Sequence, residues 1–171
     1  MTSIILIGPP GSGKSTIGKS LAKQLSSTFV DTDSVIEKRT GTSISQIFVD
    51  QGEPWFRELE LQVLAEEVAK LDGVLALGGG APLSLGAQEL LLGQGAPIIY
   101  LDVSLATAAP RVGFNRDRPL LLNNPRAAWQ ELMAKRRPIY ESLATHIVSV
   151  NDRSPRDIVQ EISQLVMSGN Q

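Results

Sequence analysis

The N-terminal region contains the octapeptide Gly8-Pro9-Pro10-Gly11-Ser12-Gly13-Lys14-Ser15, which satisfies the pattern G-x-x-x-x-G-K-[ST]. It lies between a strongly apolar run, Ile4 to Ile7, and a stretch with helical spacing of apolar residues, Thr16 to Leu25. A phosphate-binding P-loop requires this order of strand, loop and helix. The sequence therefore predicts a nucleoside triphosphate site, and the alternative is a Gly/Pro-rich turn that contains Lys and Ser by chance.

The residue types of this loop suit phosphate chemistry. Glycine lets the backbone turn with its N–H groups pointing inward, in conformations that a Cβ would oppose, and the helix N-terminus that follows favours an anion. Lys14 is expected to reach the β- and γ-phosphates, and the Ser15 hydroxyl to bind Mg²⁺. The residues of the loop predicted to bind the nucleotide are Gly11, Ser12, Gly13, Lys14, Ser15 and Thr16.

The composition excludes several classes of function. The chain has 171 residues, 16 Lys and Arg against 18 Asp and Glu, one His and no Cys. Without Cys there is no disulfide, thiolate metal site or cysteine nucleophile, and a net charge of −2 argues against a nucleic-acid partner. No apolar run reaches the roughly 18 residues of a membrane span. We expect one cytoplasmic domain with no membrane contact.

Short Ile-, Val- and Leu-rich runs alternate with helical patterns, which is typical of parallel strands joined by crossover helices. The predicted strands are Ile4 to Ile7, Phe29-Val30, Val74 to Leu77, Ile98 to Leu101 and His146 to Val150. The predicted helices are Thr16 to Leu25, Glu53 to Leu71, Pro125 to Leu143 and Pro155 to Met167, with Ser154 capping the last one. Trp55 and Trp129 lie at apolar helical positions and are expected to be core or domain-packing residues.

A P-loop protein usually holds Mg²⁺ with a second carboxylate at the end of a strand. Asp102, after Ile98 to Leu101, fits that position, and so does the pair Asp31 and Asp33 after Phe29-Val30. We prefer the pair because it ends the strand that follows the first crossover and offers two carboxylates, although spacing alone does not decide. A turn or helix cap is the ordinary alternative for each of these residues.

The ordered series of motifs resembles the shikimate kinase family over nearly the whole chain. The matching segments are the P-loop with Ser15-Thr16, Asp31-Thr32-Asp33, Gly52-Glu53 with Phe56-Arg57 and Glu60, Leu77-Gly78-Gly79-Gly80, Arg118-Pro119-Leu120-Leu121, and Arg136 with Pro138 and Tyr140. The resemblance implies an ATP-dependent kinase, with one Mg²⁺ per subunit, that phosphorylates the 3-hydroxyl of shikimate on the route to chorismate and the aromatic amino acids. It also implies a monomer.

The same resemblance implies roles for individual residues. Asp33 would meet the substrate hydroxyls and accept a proton, while Asp31 and Ser15 would act at the metal. Arg57 and Arg136 would hold the shikimate carboxylate in planar forks, and Gly78, Gly79 and Gly80 would contact the substrate, Gly79 above all. Without the resemblance, Arg57 is an ion-paired helix residue beside Glu60, and Arg136 belongs to the solvated basic run Lys135-Arg136-Arg137.

A long aperiodic stretch, residues 112–124, corresponds to the lid of the family. Arg118 would neutralise charge on the transferring phosphoryl group as a catalytic residue, or else it is a solvated loop arginine paired with Asp117. Arg111, Arg153 and Pro155 match residues around the adenine, and Arg116 has no assigned role.

The expected fold is a three-layer α/β P-loop NTPase fold, similar to nucleoside monophosphate kinases, with a five-stranded parallel sheet, and the resemblance implies the strand order 2-3-1-4-5. Residues 33–60 are expected to form a substrate-binding segment. The rival functions are a related kinase acting on another hydroxylated acid, such as gluconate, and a GTP-binding switch. The switch is disfavoured because the chain has no N-K-x-D segment.

Overall fold

The computed structural model describes residues 2–112 and 124–169. Its strands are β1 (Ile4–Ile7), β2 (Thr28–Asp31), β3 (Gly73–Ala76), β4 (Ile98–Asp102) and β5 (His146–Ser149). They form one sheet in the order β2-β3-β1-β4-β5, and every neighbouring pair is parallel. The predicted fold class and strand order are confirmed.

Helices cover both faces of this sheet. They are α1 (Lys14–Gln24), α2 (Thr32–Thr40), α3 (Ile44–Asp50), α4 (Glu53–Ala69), α5 (Leu85–Leu92), α6 (Leu105–Val112), α7 (Pro125–Leu143) and α8 (Pro155–Ser168). Ser154 caps α8, because its hydroxyl accepts the Asp157 N–H at 3.2 Å, as predicted. The periodicity of the sequence did not identify α2, α3, α5 or α6.

The apolar runs are continuous because the central strands are buried on both faces. All four side chains of β1 have no exposed surface, and β3 is buried throughout. The edge strands are different: Ile147 of β5 is 52% exposed. A strand flanked by strands and covered by helices thus gives the strong sequence signal, and the edges give a weaker one.

Residues 33–60 span α2, α3 and the first half of α4. These helices share a small core of their own, formed by Ile36, Ile47, Phe56 and Val63. Trp129 is buried, as expected, but the expectation for Trp55 was wrong, because that side chain is 41% exposed. The buried face of α4 begins at Phe56. Trp55, the preceding residue, lies about 100° away around the helix and therefore points off that face.

Of the predicted lid, residues 113–123, which include Arg118, lie outside the described residues. At its two ends, α6 closes with Val112 and the Asn124 side chain caps α7. None of the helices in residues 2–112 and 124–169 combines the length and the apolar character that a bilayer crossing needs.

Candidate active site

The P-loop turns between β1 and α1 through backbone conformations that favour glycine. Gly11 has φ +82° and Gly13, which precedes the first helical residue, has φ +89°. Lys14 extends back over the loop, where its ammonium donates to the carbonyl oxygens of Gly8 at 2.7 Å and Pro9 at 3.0 Å. The loop thus presents a cation and a helix N-terminus at one point, which suits an anion such as a phosphate.

Ser15 and Asp31 meet beside this loop. The Ser15 hydroxyl donates to Oδ2 of Asp31 at 2.7 Å, and Oδ1 of Asp31 accepts the Asp33 N–H at 2.9 Å, which caps α2. The other strand-end carboxylate, Asp102, accepts from Arg137 at 3.1 Å and from the Tyr100 hydroxyl at 3.3 Å. Mg²⁺ prefers oxygen ligands such as hydroxyl and carboxylate groups. Ser15 and Asp31 offer such oxygens beside the P-loop.

Three successive glycines after β3 each lie against one side chain of the predicted site. A Cβ on Gly78 would collide with the Asp33 carboxylate, and a Cβ on Gly80 would collide with the Arg57 guanidinium. A Cβ on Gly79 would stand 2.9 Å from Nη1 of Arg136. The lack of side chains therefore lets a carboxylate and two guanidinium groups gather around one short backbone segment.

Arg57 is held by carboxylates of its own helix. Its Nη1 donates to Glu60 at 2.8 Å and its Nε to Glu53 at 3.4 Å. Glu60 is 3% exposed, so burial raises the pKa of its carboxyl group, and the positive charge of Arg57 opposes this shift only in part. The Arg57–Glu60 pair thus fixes the guanidinium at the cost of a buried carboxylate.

Arg136 is 5% exposed, so the interpretation as part of a solvated basic face was wrong for this residue. It lies on the buried face of α7, and its Nε has no hydrogen-bond partner within the described part of the chain. A buried guanidinium with an unused donor favours a carboxylate ligand, since burying an unsatisfied charged donor is costly.

A cavity of about 530 Å³ joins the predicted nucleotide-binding residues. Nη1 of Arg111 donates to the carbonyl of Gly11 at 3.2 Å, and Arg153 is held by the carbonyl of Ser149 at 2.8 Å. The lining includes Pro10, Gly11, Ser12, Gly13, Lys14, Ser15, Thr16, Asp31, Asp33, Gly79, Arg111, Arg153 and Pro155. The predicted nucleotide residues that the structure describes therefore border one space together with the two aspartates.

Arg57 and Arg136 do not line that cavity. Arg57 and Glu60 border a second space of about 290 Å³, which also touches Gly80 and Ser84. Another cavity, of about 630 Å³, lies between α2, α4 and strands β2 and β3, and none of the predicted site residues within the described ranges lines it. The glycine segment separates the P-loop side of the site from the side where Arg57 lies.

Two buried hydroxyl groups in the site received no role from the sequence. Thr32 accepts the Gly78 N–H at 2.9 Å, and the Tyr140 hydroxyl donates to the carbonyl of Gly79 at 2.6 Å. Both residues have no exposed surface. Tyr140 follows Arg136 by one helical turn, a spacing that places both on one face of α7. This spacing was the sequence feature that could have indicated a role for Tyr140. No comparable feature marked Thr32, which lies between the two aspartates that drew the prediction.

Comparisons with known proteins agree with one another. The family model described as shikimate kinase matches residues 10–167. A shikimate kinase of Thermobifida fusca is 47% identical over 94% of this chain and 92% of its own length. The solved structure of shikimate kinase from Acinetobacter baumannii in complex with shikimate has a TM-score of 0.93 at 34% identity, over 99% of this chain and 95% of that one. A gluconokinase from Sinorhizobium meliloti, at 18% identity and TM-score 0.57, shares the fold.

Proposed function

We propose, because this chain belongs to the shikimate kinase family, that ATP lies along the P-loop and that shikimate lies against the glycine segment between Asp33 and the two arginines. The chain transfers the γ-phosphoryl group of ATP to the 3-hydroxyl of shikimate and gives shikimate 3-phosphate and ADP, a step in the synthesis of chorismate and the aromatic amino acids. The observation that supports this placement most is the contact of Gly78, Gly79 and Gly80 with Asp33, Arg136 and Arg57.

Arg57 and Arg136 are proposed to bind the carboxylate of shikimate. A planar guanidinium can engage both carboxylate oxygens, and the two guanidinium groups flank adjacent residues, Gly79 and Gly80. Glu60 holds Arg57 in place through its ion pair at 2.8 Å. This arrangement would fix the ring of the acceptor at one end and leave its hydroxyls toward Asp33.

Asp33 is proposed to orient the attacking hydroxyl and accept its proton. It lies in the first turn of α2 and lines the same cavity as Lys14. The phosphoryl group would pass from ATP to the acceptor oxygen in line, with Lys14 neutralising charge on the phosphates. Arg118, which lies outside the described residues, is proposed to add a second positive charge. Catalysis is then positioning and charge stabilisation, with no covalent enzyme intermediate.

Ser15 and Asp31 are proposed to hold one Mg²⁺, Asp31 through water. Their hydroxyl and carboxylate oxygens, joined at 2.7 Å beside the P-loop, fit a hard divalent cation. When bound, the ion would screen the negative charge of the phosphates. Arg111, Arg153 and Pro155 are proposed to contact the adenine. A monomer located in the cytoplasm, with no nucleic-acid or membrane partner, completes the proposal.

A coupled assay of ADP release tests the acceptor. Purified protein with ATP and Mg²⁺ is expected to release ADP with shikimate but not with gluconate or quinate. ADP release with gluconate alone would overturn the assignment. Asp33→Asn is expected to lower kcat by at least a hundredfold, in line with the loss of a general base, while ATP binding persists. Unchanged turnover would remove Asp33 from its proposed role.

A further inference from the structure

We propose that Tyr140 is a positioning residue that, together with Thr32, holds the backbone of residues 78–80 in the orientation that receives the acceptor. The inference rests on the proposed function, because it takes the acceptor to lie against this segment. Neither side chain touches the reacting atoms under the proposal. Each acts through a backbone group of the glycine segment.

The Tyr140 hydroxyl determines the direction of one peptide group. It donates to the carbonyl oxygen of Gly79 at 2.6 Å, and that carbonyl shares its peptide plane with the N–H of Gly80. In a trans peptide the carbonyl and the N–H point in opposite directions. The Gly80 N–H therefore points away from Tyr140 and α7. Gly80 is also the residue that the Arg57 guanidinium covers.

Thr32 fixes the preceding end of the segment. Its hydroxyl oxygen accepts the Gly78 N–H at 2.9 Å, in a fully buried position between Asp31 and Asp33. Two further hydrogen bonds of the segment use its carbonyl groups, because Gly78 accepts from the Ala81 N–H at 3.0 Å and Gly80 from the Leu83 N–H at 3.2 Å. The N–H groups of Gly79 and Gly80 are not used by these bonds.

A segment of three glycines needs such anchors. Glycine has access to more backbone conformations than any other residue, and no side chain of residues 78–80 packs to hold them. Tyr140 is itself fixed, since its ring is buried and the ring centroid lies 5.2 Å from that of Tyr100. Arg136 lies one turn earlier on the same helix, so α7 sets the position of an arginine and of the glycine backbone together.

Tyr140→Phe is the direct test, because it removes the hydroxyl and keeps the ring. We expect the KM for shikimate to rise about tenfold, the equivalent of about 1.4 kcal/mol, while the KM for ATP changes less than twofold. Tyr100→Phe is the matched control: it removes a hydroxyl from the other tyrosine of the same ring pair, which also has no exposed surface and bonds Asp102 instead of the glycine segment. We expect it to leave both KM values unchanged.

A second pair of variants tests the other anchor. Thr32→Val removes the oxygen that accepts the Gly78 N–H and is expected to raise the KM for shikimate in the same way, whereas Thr32→Ser keeps the oxygen and should restore it. A normal shikimate KM in a folded Tyr140→Phe or a folded Thr32→Val variant would overturn the proposal. It would also fall if the KM for ATP rose in proportion, if Tyr100→Phe behaved like Tyr140→Phe, or if both Tyr140→Phe and Thr32→Val lost a cooperative thermal transition.

Failure of the inference and failure of the proposed function give different results. Wild-type protein that does not phosphorylate shikimate contradicts the proposed function before any variant is measured. Active wild-type protein with a Tyr140→Phe variant of normal shikimate KM contradicts the positioning role alone, provided that the variant melts cooperatively. If Tyr140→Phe does not fold, the comparison of Thr32→Val with Thr32→Ser decides.

Discussion

Nη1 of Arg136 lies 2.9 Å from the position that a Cβ on Gly79 would occupy. A methyl group there would also come within 3.1 Å of the ring of Pro10 in the P-loop. Gly79→Ala must therefore displace either the arginine or the loop. We expect the KM for shikimate to rise at least tenfold, because the guanidinium no longer has its position beside the acceptor, and steady-state kinetics with varied shikimate measures it.

Gly95→Ala is the control for this prediction. A Cβ on Gly95 has no neighbour within 4 Å, and its φ is not positive, so the added methyl group meets neither a clash nor backbone strain. Its kinetics should match those of the wild type. Equal shikimate KM values in Gly79→Ala and Gly95→Ala would contradict the close approach of Arg136 to the glycine segment.

Two adjacent arginines of α7 are expected to differ in function. Arg136 is buried beside Gly79, whereas Arg137 forms a partly exposed ion pair with Asp102 at 3.1 Å. Arg136→Lys keeps the charge but loses the planar fork, so the KM for shikimate should rise tenfold or more with little change in the KM for ATP. Arg137→Lys should leave both values unchanged, because an exposed pair contributes little. Equal effects in the two variants would contradict the assignment of Arg136 to the carboxylate.

Much of the fold was predictable from the sequence. The P-loop between an apolar run and a helical pattern, and the further buried strands, indicated a parallel sheet, and the resemblance supplied its strand order. Buried central strands have continuous apolar sequences, and this signal is strong because both faces are covered. Helix α5, with small and apolar residues around most of its circumference, gave no clear periodicity. The prediction placed Trp55 in the interior, but the buried side chain is that of the next residue, Phe56. A shift of one position on a helix is enough to move a side chain from the interior to the solvent.

The sequence predicted the members of the candidate site, and their roles stay a prediction, but it did not predict how they are arranged. Arg136 stands in a basic run that resembles a solvated face, and only its tertiary position beside Gly79 shows that it is buried. The contacts of Thr32 and Tyr140 with the glycine segment join residues 46 and 61 positions apart in sequence. Such contacts depend on how β2, β3 and α7 pack, so the pattern of a single sequence does not contain them.

Asp31 and Asp102 both end strands, and their contacts predict which one serves the metal. Asp31 accepts the Ser15 hydroxyl at 2.7 Å, whereas Asp102 is paired with Arg137. Asp31→Asn keeps the helix cap, since Asn caps as well as Asp, but loses the charge. We expect the Mg²⁺ concentration for half-maximal activity to rise at least tenfold in Asp31→Asn and to stay unchanged in Asp102→Asn. The reverse order, from a Mg²⁺ titration at fixed ATP, would assign the metal to Asp102.

The raised pKa of Glu60 predicts how the stability of the fold depends on pH. Burial is the largest influence on this carboxyl group and raises its pKa above the ordinary value of 4.5, while Arg57 lowers it in part. A folded-state pKa above the unfolded value means that the folded protein binds the proton more tightly. The stabilisation is therefore complete below pH 4.5 and is lost as the pH rises through the folded-state pKa. Glu60→Gln cannot ionise and should escape that loss.

The difference in Tm between Glu60→Gln and the wild type should therefore become more positive from pH 4.5 to pH 7. Thermal unfolding in a series of buffers measures it, and the value at pH 4.5 serves as the internal reference. A change of 1 kcal/mol corresponds to about 2–4 °C for a chain of this size, which is readily resolved. A difference that becomes more negative with rising pH would mean that the charge of Arg57 outweighs the burial of the carboxylate. In that case the Arg57–Glu60 pair stabilises the fold at neutral pH, and the site holds its arginine without a cost in stability.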